Sequence, residues 1–495
     1  MLDLSERTLN RTIFNLAWPA ILENLLQLSV FVIDGIMVGP LGTQAFAAVG
    51  QSSMILYSTS FLFSGVGVAT AAIVARNLGR RDTRGASEVA CQGLLLGGII
   101  GILLTILGLR YGRFILKLLG TTPDVIDPVE RYLAIIFVFS LFRSVLAIAG
   151  GLLRASGDTR TPMWATGATN LFNVVANWVL IFGVGPFPRM GTDGAALATG
   201  LSFAVGTPIV LFRLFRPDPV HSGNSGGDRG DPVIGYHGEG GPDAQAVQID
   251  LLQDDPHETV PPPDHLPGFS IKGQDLLHVN GTLIKTILRI ALPNLGEQVL
   301  LQGGHWTFLW MVTGLGTVSL AAHFMAIRVE SLAFMPAFGL SVAVIPLVGQ
   351  GLGANRSDLA ELAVKRTAII GIVSMVGLGG VFVVIPGIFV RLFSPTPEVY
   401  DVASICVRIS ALELPTCALL MICMGAMRGA GDTVSPMIVT LFGTIFLRVG
   451  MVYLLAIRLG LGLPGVWYGT AVDWGLRALI SYVLFRMGRW KRVKF

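Results

Sequence analysis

The side chains of this chain most able to do chemistry are ionisable groups set inside long apolar runs. Glu23 and Asp34 share one such run, eleven positions apart. Eleven residues are about three helical turns, so both carboxylates fall on one face. Asn24 and Gln27 beside Glu23 could solvate a proton or a cation. The plainer reading of Glu23 is a group near a membrane interface, bonded to helix ends. Asp34 lies deeper, between Val30 and Met37. Further on come Asn170, Asn173 and Asn177, the last two four positions apart on one helix face. Their amide oxygens can coordinate a hard cation, bond a carboxylic acid, or clamp two helices together. Glu297 and Glu413 are the acidic candidates of the second half. Glu330 is expected to pair with Arg328, and Glu413 has only Arg408 near it in sequence. Arg143 and Arg448 read as internal counter-charges. Polar groups at membrane depth are costly, which makes each a functional candidate.

No catalytic constellation accompanies them. The chain has no G-x-x-x-x-G-K-[ST] phosphate loop, no H-E-x-x-H and no G-x-S-x-G. The expectation is a protein that is not an enzyme, with no cofactor and no metal site, handling only a transported proton or sodium ion. The four cysteines (Cys91, Cys406, Cys417, Cys423) sit in apolar stretches and read as packing residues.

The elements that position these groups are apolar spans in duplicate. Leu153-Arg154-Ala155-Ser156-Gly157-Asp158-Thr159-Arg160-Thr161-Pro162-Met163 returns as Met427-Arg428-Gly429-Ala430-Gly431-Asp432-Thr433-Val434-Ser435-Pro436-Met437, shifted by 274 positions. The same shift lays Pro19 on Pro293, Glu23 on Glu297 and Leu41-Gly42-Thr43 on Leu315-Gly316-Thr317. It lays Asp34 on Phe308, so the halves match in frame but not in charge. Two like bundles with a site at the repeat interface are a common build of secondary transporters. Residues are 52% hydrophobic and 13% charged, with 61 Gly in 495, and mean hydropathy is +0.68. Such a composition suits a polytopic membrane protein.

A crossing helix needs about 20 mainly apolar residues. Twelve stretches qualify, from 12–38 to 465–485. The expected fold is therefore an all-α polytopic membrane protein of twelve transmembrane helices in two six-helix bundles, 1–216 and 281–495. Between them, 217–280 carries eleven Asp/Glu against two basic residues, with nine Pro and ten Gly. That reads as a disordered acidic cytoplasmic linker. Five of the seven His fall in it without a ligand spacing. Short connections on one side hold Arg76, Arg80, Arg81, Arg84, Arg154, Arg356 and Arg428, whereas 39–45 and 313–317 have no Lys or Arg. The positive-inside rule then puts both termini in the cytoplasm. The segment 110–131 is the exception, with Arg110, Arg113, Lys117 and Arg131 partly offset by Asp124, Asp127 and Glu130.

In these features the chain resembles the multidrug and toxic compound extrusion (MATE) family of cation-coupled efflux transporters. The likeness rests on Pro19, Asn24, Asp34 and Val38-Gly39-Pro40-Leu41-Gly42, on the paired Arg-x-x-Gly-Asp-Thr-x-x-Pro elements, and on Gly194-Ala195-Ala196-Leu197-Ala198-Thr199. Ala321-Ala322-His323 and Val348-Gly349-Gln350-Gly351-Leu352-Gly353-Ala354 add to it. The resemblance implies alternating access between two bundles. It also implies a cation site joining Asp34 to Tyr132, Asn173, Asn177 and Thr199, with Glu23, Glu297 and Glu413 as secondary acids. Relatives with this aspartate typically carry a second one where Asn177 stands, which moves the reading toward protons. The implied function is antiport of amphipathic, cationic organic compounds by a monomer in the inner (plasma) membrane, with the bilayer as partner and no nucleic acid. A lipid-linked precursor flippase is the alternative. It would want a large cationic cavity, and the inward candidates here read as acidic or neutral.

Overall fold

The computed structural model describes residues 2, 8–119, 121, 123–216, 270–271, 279–391 and 396–493. The linker reading for 217–280 falls almost wholly outside them. Among the described residues every regular element is a helix. The first half comprises α1 (Leu9–Val38), α2 (Thr43–Gly79), α3 (Thr83–Leu118), α4 (Pro123–Val138), α5 (Ser140–Ser156), α6 (Arg160–Phe182) and α7 (Thr192–Phe215). The second comprises α8 (Gly281–Thr313), α9 (Thr317–Gly353), α10 (Ser357–Val384), α11 (Pro386–Arg391), α12 (Pro397–Ser410) and α13 (Leu414–Gly429). It ends with α14 (Val434–Arg458) and α15 (Gly462–Arg486).

The shift of 274 holds for the helix ends as well. It carries α2 onto α9 end for end, and the start of α4 onto that of α12. Eight helices are long and apolar enough to cross a membrane alone. Two more crossings are bent pairs, α4 with α5 at 55° and α12 with α13 at 51°. The long helices α8 and α15, counterparts of α1 and α7, complete the twelve. The segment 110–131 differs from its reading as a connection. Arg110, Arg113 and Lys117 lie on α3, and Arg113 Nη1 pairs with Asp127 at 2.9 Å and Glu130 at 2.6 Å. Its acids offset its basic residues, which removes most of the charge exception.

The repeated motif folds for local reasons. Gly157 and Gly431 have φ +99° and +85°, the left-handed region that ends a helix at least cost to glycine. Asp158 then accepts from the Thr161 N–H at 2.9 Å, and Asp432 from the Ser435 N–H at 3.0 Å, satisfying donors at the start of α6 and α14. Pro162 and Pro436 sit in the first turns, where a missing N–H costs nothing. Pro19 inside α1 deprives the Asn15 carbonyl of its helical donor. The Thr159 hydroxyl, from the same motif, donates to that oxygen at 3.5 Å.

The opening stretch of each half's first helix packs into the other half's core, while the rest of α1 bonds within its own half. Leu9, Ile13, Leu16 and Ala17 of α1 are buried in a core otherwise built from α9, α10, α13, α14, α15 and Trp490. Ile287, Ile290 and Ala291 of α8 are buried in the core of α2, α3, α5, α6 and α7. The helices α2 and α9 also touch across the middle. A Cβ on Gly79 would stand 2.2 Å from the Gln350 carbonyl oxygen, and one on Gly353 2.1 Å from that of Arg76. Only glycine allows so close a backbone approach.

Candidate functional site

A cavity of about 590 Å3 opens within the first half and reaches Val342, Ile345 and Pro346 of the second. Its ionisable lining is Glu23, Arg143 and Arg154, and its polar lining includes Gln27, Asn170, Asn173 and Thr199. Most of the remaining wall is apolar, which suits an amphipathic organic molecule.

The repeated glutamates are tied to the repeated arginines. Arg154 Nη1 donates to Glu23 Oε1 at 2.9 Å and Oε2 at 3.1 Å. Arg428 Nη2 donates to Glu297 Oε1 at 2.6 Å, and the Thr440 hydroxyl adds 3.1 Å to the same oxygen. Glu23 is thus neither bonded to helix ends nor an isolated acid. Glu297, read as a secondary acidic candidate, is a fully buried ion-pair partner. In both halves the pair ties the first helix, four residues past its proline, to the end of the second member of the bent pair, α5 or α13.

Arg143 corrects a second expectation. It is not a counter-charge to an acid. Its guanidinium donates to the Leu56 carbonyl at 2.6 Å, to Thr59 Oγ1 at 3.0 Å and to Ser60 Oγ. It also lies 5.7 Å and 5.8 Å from the rings of Phe63 and Phe203. Hydroxyls and ring faces solvate its charge without cancelling it. With Glu23 paired to Arg154, the cavity lining carries one net positive charge. The sequence reading of acidic or neutral inward groups does not hold for this cavity.

The five residues grouped by resemblance do meet. Asn177 Nδ2 donates to Asp34 Oδ1 at 2.6 Å and to Asn173 Oδ1 at 3.1 Å. Asn173 Nδ2 donates to Thr199 Oγ1 at 3.2 Å, and Thr199 donates to the Ala195 carbonyl at 2.9 Å. Tyr132, almost fully buried, lies against Thr199 and near Asp34. The chain of bonds runs from Asp34 on α1 through α6 to α7. It ends at Asn173 and Thr199, which also line the cavity. Asn177 is fully buried and its Oδ1 has no donor. An amide can turn over and present that oxygen instead of its NH2. Asn177 can therefore donate to an ionised Asp34 or accept from a protonated one. Asn170 stands apart, holding the Leu26 carbonyl of α1 at 2.6 Å.

Two further expectations differ. Glu330 does not define a pair with Arg328; its carboxyl meets that of Glu413. Arg408, the only basic residue near Glu413 in sequence, is exposed on α12, whereas Glu413 is fully buried. Asp473 and Arg477 of α15 escaped the sequence reading. Their spacing of four inside an apolar helix was the available signal. Among the described residues no three His, Cys, Asp or Glu side chains converge as a metal site.

The family model described as MatE matches residues 19–179 and 293–454. A probable multidrug resistance protein NorM of Thermotoga maritima is 26% identical over 484 residues, covering 98% of this chain and 94% of its own. Another of that name, from Pseudomonas aeruginosa, is 27% identical over 470 residues, covering 93% and 86%. Among solved structures, a MATE in the bent conformation superposes with a TM-score of 0.81 at 22% identity, covering 98% of this chain and 96% of that one. A MATE in the straight conformation superposes equally, at 0.81. At such identity the likeness is one of fold.

Proposed function

This chain belongs to the multidrug and toxic compound extrusion family, and we propose that it exports amphipathic organic molecules in exchange for a cation bound at Asp34. It is a multi-pass membrane transporter of small molecules. The observation that carries the coupling reading is the bonded chain from Asp34 through Asn177 and Asn173 to Thr199, the last two of which also line the cavity. The ion site and the cargo space share a wall.

The physics follows from that wall. A carboxylate in an apolar helix favours its neutral or ion-paired form. Binding a proton or sodium ion there changes what Asn177 must offer, donor or acceptor. Asn173 and Thr199 would feel the change and alter the cavity. If the ion binds one conformation more tightly, it biases the equilibrium, and cargo biases it the other way. One charge crossing the membrane gains about 2.3 kcal/mol per 100 mV. The amide at Asn177 in place of a second carboxylate leaves fewer anionic ligands for sodium, which favours the proton.

The cargo half of the reading shifts with the cavity's charge. A lining that carries Arg143 uncancelled suits neutral or anionic amphiphiles better than cations. The same charge gives the lipid-linked precursor flippase some support as a second reading, since it would take an anionic headgroup. The protein acts as a monomer in the inner membrane with both termini cytoplasmic, and it needs no cofactor.

The test is dye efflux from proteoliposomes under separately imposed proton and sodium gradients, with cationic, neutral and anionic dyes. Export driven by either gradient supports the coupled exporter. Transport indifferent to both gradients, together with movement of an anionic lipid probe, would favour the flippase.

A further inference from the structure

The segment that follows α15 lies across the line where the two halves meet. The chain turns at Gly488, whose φ of +71° glycine adopts at least cost, and a short helical turn follows over Arg489–Arg492. This segment is fastened to the second half. Trp490 is buried in that half's core and stacks on Phe485, with ring centroids 5.0 Å and planes 8° apart. Its Nε1 donates to the Phe485 carbonyl at 2.8 Å. Lys491 Nζ donates to Glu361 Oε2 of α10 at 2.6 Å, and Arg486 lies 3.6 Å from the other oxygen of that carboxylate.

Two residues further on, the segment reaches the first half. Arg76 Nη1, in the last turn of α2, donates to the Val493 carbonyl at 2.6 Å. Arg76 also stands where α2 and α9 touch, since its own carbonyl is the one that a Cβ on Gly353 would strike. The start of the chain enters the seam at the same place. The Leu2 N–H donates to Gln350 Oε1 at 2.8 Å, and Gln350 Nε2 donates to the Ala155 carbonyl of α5 at 3.1 Å. The ends of α2, α5 and α9 are thus bound together at one face of the molecule.

The segment's two attachments differ in kind. On the second half it is held by a buried ring and by ion pairs to a shared carboxylate. A buried indole takes roughly 150–250 Å2 out of water. On the first half a guanidinium grips a backbone carbonyl, and such a bond can be exchanged for one to solvent at small net cost. If the halves part here, the Arg76 end gives way and the segment stays with the second half.

We propose that residues 487–493 are a strap that closes the seam at this face and lets go of Arg76 whenever the seam opens. The proposal rests on export by alternating access, in which the ends of α2 and α9 separate in one state. The strap bonds Arg76 only in the closed state, so it biases the balance of states toward closure. It acts on that balance and not on cargo or ion, and is separate from the Asp34 network.

The experiment uses the full-length transporter in proteoliposomes. The native cysteines are all buried, so added cysteines alone take label. Thr83 and Arg356 are exposed just past the ends of α2 and α9. Spin labels at Thr83→Cys and Arg356→Cys read the opening of the seam as a distance distribution by electron–electron double resonance. Arg76→Gln shifts the ratio of long to short separations upward by about tenfold, as the loss of one charged hydrogen bond would. Ending the chain after Met487 shifts it the same way, and Arg76→Gln keeps the test alive if that shortened chain does not fold. In a second arm, Arg76→Cys and Val493→Cys are joined by a reducible bifunctional thiol reagent. Efflux falls to background when they are joined and returns on reduction. The proposal is overturned if Arg76→Gln leaves the distances unchanged, or if the joined transporter exports as fast as the unjoined one. If wild type exports nothing under any gradient, the transport reading fails, and the distances still judge the strap.

Discussion

The two halves of this transporter share a frame and differ in what they hold inside it. At matched positions the first half places Asp34, Asn173, Asn177 and Thr199, and the second places Phe308, Leu447, Met451 and Asp473. The polar chain of one is therefore apolar in the other, save where a hydroxyl has become a carboxylate. Backbone-determining features survive in both: the prolines of α1 and α8, the left-handed glycines, the capping aspartates and the glutamate–arginine pairs. Duplication has kept what sets helix ends and crossings, and has left the interior positions free to diverge. The first half joins a lone acid to a large cavity. The second holds Asp473 between Arg448 and Arg477 beside a small one.

The comparison breaks most visibly at Asp34. Asp34→Asn keeps the volume and the helix but fixes a neutral side chain. It should abolish uphill export while the protein still binds cargo. One charge at 100 mV is worth about 2.3 kcal/mol, so roughly 50-fold accumulation should collapse to none. Phe308, its counterpart, should tolerate Leu without loss of coupling. If Asp34→Asn exports normally, coupling lies elsewhere.

The matched ion pairs should differ in stability. The Glu297 side chain is 1% exposed and that of Glu23 is 10%, and Glu23 also borders the cavity. Breaking a buried pair strands its partner at a cost of about 3–5 kcal/mol. Glu297→Gln should approach that range in thermal unfolding, and Glu23→Gln should fall below it. Equal losses would mean that both pairs are equally dry.

Cargo charge sharpens the comparison further. Arg143→Gln removes the uncancelled charge of the large cavity, where a charged hydrogen bond is worth about 1.5–3 kcal/mol. Affinity for an anionic amphiphile should fall about tenfold or more, with a neutral one little changed. A loss common to both dyes would instead point to damaged packing around Thr59 and Ser60. The smallest effect is expected outside the bundles. Replacing 222–270 with a shorter Gly/Ser tether should leave efflux unaltered, and loss of transport by a protein that still reaches the membrane folded would overturn that.

Much of this frame was legible in the sequence because one periodic shift exposes it. The register that aligned Arg154 with Arg428 and Glu23 with Glu297 contained both ion pairs, although neighbours in space do not announce themselves in a string. Side-chain direction was the harder matter. Arg328 and Glu330 are two positions apart, about 200° around a helix, so adjacency in sequence set them on opposite faces. Glu413 lies past the end of α12, where the turn of the chain carries it away from Arg408. The Asp34 group was found through resemblance, and only its distances come from the structure. Asp473 and Arg477 were overlooked because a charged pair four apart does not interrupt an apolar span.

The exchanged starts of the opening helices have a consequence for the repeat itself. A solitary copy would present a slot lined for the start of a helix it does not own, and the start of its own first helix would have no slot to enter. Ile13, Leu16 and Ala17 match Ile287, Ile290 and Ala291 position for position. Each copy therefore carries the piece that the other is missing. Two unlinked copies would mend both faults by trading the starts of their first helices, and joining them in one chain turns that partnership into a permanent one.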